Sequence, residues 1–424
     1  MQLGDMAVQT DRRSSIICGQ GVIAYGITPH AGGTTTFYRN FAAGMREKGW
    51  VVWGVSAGKK AAQAADPAFG DGSSIVLVPN SESLEEQVKA FLRWVEENGV
   101  DIVIPMCQSF MHAAIRHLPS RVRVCVRVAN TTRGSYMPAI AHRKRASRIL
   151  VSSLRQRDDL IKRWDFAPQA VCTVNHGVAV SNFERMAQGQ VWSEQMSVAY
   201  FGRLEDQDKG VLLLPAIFSE AALLSSSSRF LVIGDGPDRP LLEEGFRKTG
   251  LDGRVELLGK VVPNEVPAVL ASVDIFLMPS RFEGFGFALL EAMAAGCVPV
   301  ASRIRGVTDF IIEDGVSGFL CPIGDTRAFA QAVLRLDRDR ELLARMSAAA
   351  RRRVEENFTL QKMVDGYDRV FRELLAEPPL HVEPAPLTDI RLPRLLSPTW
   401  RTRVPQPLKN FARKWMERLW GYAG

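Results

Sequence analysis

Short apolar runs rich in β-branched residues recur along most of the chain, each followed by a stretch of helical periodicity. No other feature constrains the fold as much. Strand–helix–strand repetition needs a crossover between neighbouring strands, and this leads to parallel sheets covered by helices. In the first half, strands are expected at GVIAYGI (21–27), VVWGVS (51–56), SIVLVP (74–79), DIVIPM (101–106), VRVCVRV (122–128) and SRILVS (147–152). In the second half they are expected at SVAYFGR (197–203), RFLVIGDG (229–236), RVELLGKV (254–261), VDIFLMPS (273–280) and CVPVASR (297–303). Helices fit 211–224, 238–249, 264–272 and 286–295, and a further one over 83–99 opens on a serine cap and ends at Gly99. Two such halves in 424 residues imply two Rossmann-like domains, each able to bury its own core. The polar, patternless stretch 180–196 is the expected link.

Composition narrows the function classes. No run of eighteen apolar residues exists, so no membrane-spanning helix is expected. The N-terminal residues lack the apolar stretch of a secretory signal, which points to the cytoplasm. Six cysteines (Cys18, Cys107, Cys125, Cys172, Cys297 and Cys321) are scattered without a CxxC or Cys/His cluster. They are expected to be reduced core thiols rather than disulfides or zinc ligands, and no metal site is expected. The net charge of +7 suits anionic nucleotides, phosphorylated lipids or membrane surfaces, and no nucleic-acid-binding motif accompanies it.

The segment RFEGFGFALLEAMAAG (281–296) carries the most chemistry. It follows an apolar strand, turns through two glycines and enters a helix. Gly286, Phe287 and Ala288 are then first-turn residues whose amide hydrogens lack an intrahelical acceptor, an arrangement that binds phosphate or sugar hydroxyls. Glu283 sits in the loop above the sheet edge. Glu291 lies one turn inside the helix, placed to accept hydrogen bonds from vicinal hydroxyls such as those of a ribose. Taken alone, the two glutamates read more readily as a helix N-terminal charge and a solvated helix residue, and it is the surrounding strand, glycines and helix that favour a ligand role.

This segment closely resembles the signature of family-four retaining glycosyltransferases of the GT-B fold. FGRLEDQDKG (201–210), FLVIGDGPDRPLLE (230–243), VELLGKVVPNEVPAVLASVDIFLMPS (255–280) and RGVTDFIIEDGVSGFLCPIGD (305–325) resemble successive family elements in order. The first half is similar more loosely, through PHAGGTTTFYRNFAAGMREKGW (29–50), VSSLRQRDDLIKRW (151–164) and TVNHGVAVSNF (173–183).

The resemblance implies an α/β GT-B fold, two Rossmann-like domains facing across a cleft. It implies an acceptor-binding domain over 1–185, a donor-binding domain over 186–358, and a helix over 359–376 crossing back onto the first domain. It implies a nucleotide-diphosphate sugar (UDP-, GDP- or ADP-linked) as donor, no required cofactor, and transfer with retention through same-face attack, the leaving phosphate taking the acceptor's proton. Arg203 and Lys209 are then diphosphate ligands, and Glu283 with the Gly286–Phe287–Ala288 backbone contacts sugar and phosphate. Glu291 becomes the ribose ligand and Val261 a backbone contact to the base, and Gly32 and Gly33 approach the diphosphate from the first domain. The Gly234–Asp235–Gly236–Pro237 turn is expected to be structural.

One departure bears on the acceptor side. Many relatives carry a histidine where this chain has Asn130, which can hydrogen-bond a sugar but cannot titrate. His112 is the other candidate for an acceptor or sugar contact, against a structural reading. The acceptor class stays open among saccharide, lipid-linked glycan, protein and small molecule.

Residues 377–424 read as a proline-rich linker followed by a basic helix. In its last part, over 408–420, Leu408, Phe411, Trp415, Leu419 and Trp420 share one face, and Lys409, Arg413, Lys414 and Arg418 share the other. Such a helix suits peripheral contact with the inner face of a membrane, or docking on this chain or a partner. Among alternatives to a transferase, a phosphorylase would need a cofactor lysine and a longer chain and an epimerase lacks this motif order, which leaves an inactive nucleotide-sugar-binding or scaffold protein.

Overall fold

A computed structural model describes residues 19–28, 33–65, 73–183, 195–224, 228–251, 253–262, 264–397 and 404. The alternation is realised as two parallel sheets. The first contains β1 (Gly21–Gly26), β2 (Trp50–Ala57), β3 (Ser74–Leu77), β4 (Ile102–Ile104), β5 (Arg123–Arg127), β6 (Arg148–Val151) and β7 (Val171–Thr173), in the order β3-β2-β1-β4-β5-β6-β7. The second contains β8 (Ser197–Phe201), β9 (Arg229–Ile233), β10 (Val255–Gly259), β11 (Ile275–Met278), β12 (Val298–Ser302) and β13 (Phe319–Cys321), in the order β10-β9-β8-β11-β12-β13. All eleven expected strands form, and β7 and β13 are additions, each three residues long and at a sheet edge. Among the helices are α1 (Gly33–Glu47), α2 (Leu84–Glu97), α3 (Ser109–Ala114), α4 (Asp206–Lys209), α5 (Phe287–Ala294) and α6 (Leu360–Ala376).

The chain divides into two compact units, Met1–Cys125 with Tyr367–Leu392, and Val126–Gly366 with Pro393–Gly424. In the first unit, β1 is buried against α1 through Tyr25, Phe37, Tyr38 and Phe41. The second half of α6 completes this core. Its Tyr367, Val370, Phe371 and Leu374 recur at helical spacing and are all buried. The rings of Phe41 and Tyr367 lie 5.1 Å apart, those of Trp50 and Phe371 5.8 Å, and the Trp50 indole donates to Asp368 at 2.7 Å. Helix α2 starts where the sequence indicates, with the Ser83 hydroxyl accepting from the Glu86 amide at 3.3 Å. Gly99 follows it in the left-handed region, at φ 58°.

The stretch after α6 forms neither regular helix nor strand up to residue 392, as its prolines require. It lies along the first unit, the Ala385 amide donating to the Arg116 carbonyl at 2.8 Å and the Ser120 hydroxyl to the Val382 carbonyl at 2.6 Å. The basic helix expected over 408–420 lies outside the described residues.

In the second unit, alternation along the strands feeds two cores, one on each face of the second sheet. Val198, Tyr200, Ile275 and Leu277 face one, and Ala199 and Phe276 face the other. Helices cover both faces, so β11 is buried throughout. Cys125, Cys297 and Cys321 are buried and unbridged, in line with core thiols. Cys107 departs from that expectation: it sits exposed in the turn after β4. Cys18 lies outside the described residues. Among the described residues no helix is long and apolar enough to cross a membrane.

Candidate active site

In the second sheet the strand order reverses between β8 and β11. Loops leaving the carboxyl ends of two such strands diverge and leave room for a ligand. Beyond β8 comes Gly202–Arg203–Leu204, and beyond β11 comes Pro279–Glu283. The Tyr200 hydroxyl, fully buried, donates to the Arg203 carbonyl at 2.8 Å and holds the first turn. The Gly234–Pro237 turn braces it as expected: the Leu204 amide donates to the Asp235 carbonyl and the Asp238 amide to the Leu204 carbonyl, each at 3.0 Å.

The second loop is fastened to α4. The Arg281 and Phe282 amides share the Asp208 carbonyl at 2.8 and 3.2 Å, and the Arg281 guanidinium pairs with the Asp206 carboxylate at 3.2 Å. This fastening brings Lys209 onto Glu283, its Nζ 2.7 Å from Oε1, and the Ser280 hydroxyl donates to the same oxygen at 2.8 Å. Glu283 is only 6% exposed, so it is neither a solvated charge nor a mere helix-end carboxylate. A carboxylate this buried requires its cationic partner, since removing one member leaves an uncompensated charge. Arg203 is different: its side chain is 65% exposed and 3.2 Å from Glu205, so it is available to a ligand.

The chain enters α5 through Gly286 at φ 100°, a left-handed conformation that disfavours other residues. The helix therefore begins at Phe287, with Gly286 as its cap and not within its first turn. Among the described residues, the amides of Gly286, Phe287 and Ala288 meet no acceptor, and the first to find one is Leu289, on Gly286. Glu291 stands one turn further on. It is half-buried, its carboxyl has no partner among the described residues, and burial pushes it up to about 8. Glu291 is thus partly withdrawn from solvent. Near neutral pH the group is largely a protonated acid, able both to donate and to accept.

Val261 is half-buried at an apolar niche with Phe201, Ile233, Val266, Val269 and Leu270. Asn130 lies beside the Glu283 loop, where its Oδ1 accepts from the Thr131 amide at 2.6 Å. His176 is a residue that sequence reasoning passed over. It follows β7, packs edge-on to Phe285 with centroids 5.3 Å apart, and lies 6.1 Å from Phe287. Its Nε2 accepts from Arg127 at 2.9 Å, and burial, then the Arg127 charge, lowers its pKa well below the usual value. The imidazole is therefore neutral and shapes the wall of the loop. The signal lay in TVNHGVAVSNF, but a histidine before a glycine reads as an ordinary turn.

Two candidates belong to the first unit. His112 is buried on α3, with Nε2 donating to the Met106 carbonyl at 2.6 Å, and burial lowers its pKa. Its ring is thus tied into the fold. Gly33 is the first residue of α1, with open space where a Cβ would stand. Gly32 lies outside the described residues. Among the described residues no group of three or more His, Cys, Asp or Glu is placed to hold a metal ion.

Two parallel Rossmann-like sheets, the second reversing its strand order between β8 and β11, are the architecture of the GT-B class of α/β fold. Residues 195–339, which contain the turns and helices just described, match the glycosyl transferases group 1 model, and the chain carries a domain of that group. It is 34% identical over 150 residues to N-acetyl-alpha-D-glucosaminyl L-malate synthase of Bacillus anthracis, covering 35% of this chain and 39% of that enzyme. The chain therefore spans well under two thirds of that relative's length.

Solved structures share the fold over much more of the chain. A sucrose-phosphate synthase from Thermosynechococcus elongatus has a TM-score of 0.71 at 20% identity, covering 84% of this chain and 100% of that one. HepE of Anabaena, solved with UDP and glucose, has a TM-score of 0.69 at 17% identity, covering 83% of this chain and 100% of that one. At such identities the likeness is one of fold.

Proposed function

We propose that this protein is a retaining, metal-independent glycosyltransferase that takes a sugar from a nucleotide-diphosphate donor and serves glycan or glycoconjugate assembly. The observation that carries the reading is the gathering, at the reversal point of the second sheet, of the Lys209–Glu283 pair with the amides of Gly286 to Ala288 and the Glu291 carboxyl, which have no partner among the described residues. In this reading Arg203 and Lys209 face the diphosphate, the amides take phosphate and sugar oxygens, and Glu291 takes the ribose hydroxyls. Negative charge grows on the departing diphosphate as the anomeric C–O bond breaks. Fixed cations and amides stabilise that charge without reorganising. The acceptor oxygen attacks from the same face, the new glycosidic bond forms there, and the acceptor proton passes to the leaving phosphate.

The acceptor is assigned to the first domain, over 1–185, and the donor to 186–358. Location at the inner face of a membrane through 408–420 belongs to the same proposal. A second reading, a nucleotide-sugar-binding protein without turnover, draws support from Asn130, which offers no titratable group and engages its own loop.

Release of nucleoside diphosphate from a panel of UDP-, GDP- and ADP-sugars tests the proposal. Release from one nucleotide class, reduced at least tenfold in Lys209→Ala, is expected. Binding without release would favour the non-catalytic reading, and neither binding nor release with any donor would overturn both.

A further inference from the structure

The loop that carries the amide row is also held from its carbonyl side, by residues outside the segment matched to the group. The Thr131 hydroxyl donates to the Glu283 carbonyl at 3.1 Å, and the Ser152 hydroxyl shares its proton between Gln156 Oε1 at 3.1 Å and the Gly284 carbonyl at 3.4 Å. Between these two bonds the backbones touch: a Cβ added at Gly284 would run into the Ala129 carbonyl oxygen. In a trans peptide the C=O and the following N–H point in opposite directions. Holding the carbonyls of Glu283 and Gly284 therefore orients the amides of Gly284 and Phe285, and sets the plane from which the chain turns through Gly286 into α5. Thr131 is itself fixed, because Asn130 Oδ1 accepts from its amide, and the Ser152 carbonyl accepts from the Asn175 side chain at 2.8 Å.

We infer that Thr131 and Ser152 are positioning residues for the anion site. They clasp the Glu283–Gly284 carbonyls so that the amides of Gly286 to Ala288 stand ready for the phosphate and sugar oxygens of a nucleotide-diphosphate ligand. The inference rests on the donor-site reading above. It assigns to the β5 and β6 loops a function in donor affinity that the two hydroxyls exert through backbone and never by touching ligand.

Calorimetric titration of the full chain with UDP, GDP and ADP, beside ligand-free melting curves, tests it. Thr131→Val keeps the shape and removes the donor. It is expected to weaken the nucleotide that wild type prefers by about five- to tenfold, the worth of about one hydrogen bond, with little change in Tm. Thr131→Ser, which keeps the hydroxyl, is expected to stay within about twofold of wild type by the same reasoning. Ser152→Ala, with the longer bond, is expected to lose less. Wild-type affinity in both Thr131→Val and Ser152→Ala would overturn the clasp while leaving the donor reading in place. An equal loss in Thr131→Val and Thr131→Ser would overturn it too, as would a fall in affinity only in proportion to a fall in Tm. If wild type binds none of the three nucleotides, the donor reading fails and the inference fails with it.

Discussion

Glu291 concentrates the chemistry of single residues in this protein. A carboxyl raised from 4.5 to about 8 by burial keeps its proton in the fold at pH values where the unfolded chain has lost it. Its contribution to stability is therefore fully present below 4.5 and drains away as pH rises to about 8, levelling off above. Glu291→Gln removes that titration. The variant should gain on wild type across this window, by on the order of 4 kcal/mol at pH 8, as read by denaturant melts at several pH values. An unchanged difference between pH 5 and 8 would contradict it. If vicinal hydroxyls prefer the ionised form, wild-type nucleotide binding strengthens through the same window and the variant's does not. Glu283 could not have been read in this way from sequence. Its partner Lys209 is 74 positions away, and only the fastening of the Pro279–Glu283 loop to α4 joins them.

At the scale of elements, the legible parts were those with enough residues to show a period. Buried central strands such as IFLM in β11 are continuous apolar runs, and α2 carries both its cap and its terminal glycine. Strands β7 and β13 escaped because three residues show no alternation, and their flanks, NHG and SG, read as turns. His176 was missed for the same reason, since its place beside Phe285 depends on β7 forming. Helix α6 supplies an element-scale test. Phe371 is fully buried among Phe41, Trp50 and Tyr367, so Phe371→Ala should destabilise the first unit by about 3–5 kcal/mol. Denaturant unfolding followed by tryptophan fluorescence would register it, because Trp50 lies in that cluster. A change below about 1 kcal/mol would mean that the helix does not complete that core.

For the molecule as a whole, two parallel sheets were legible from the alternation of strand and helix, and the order reversal of the second explains where its chemistry gathers. The group 1 match over 195–339 covers the half in which the motif order is clearest. The two candidates for an acceptor contact are less legible, because His112 is tied into the fold and Asn130 into its own loop. We propose that the turns after β8 and β11, with the start of α5, hold the donor. Amide hydrogen exchange with and without the preferred nucleoside diphosphate tests it most directly. Slowed exchange is expected in peptides spanning 202–210 and 283–291, foremost at Gly286 to Ala288, whose amides meet no acceptor among the described residues. Saturating nucleotide with unchanged exchange in both stretches, and protection elsewhere, would contradict it.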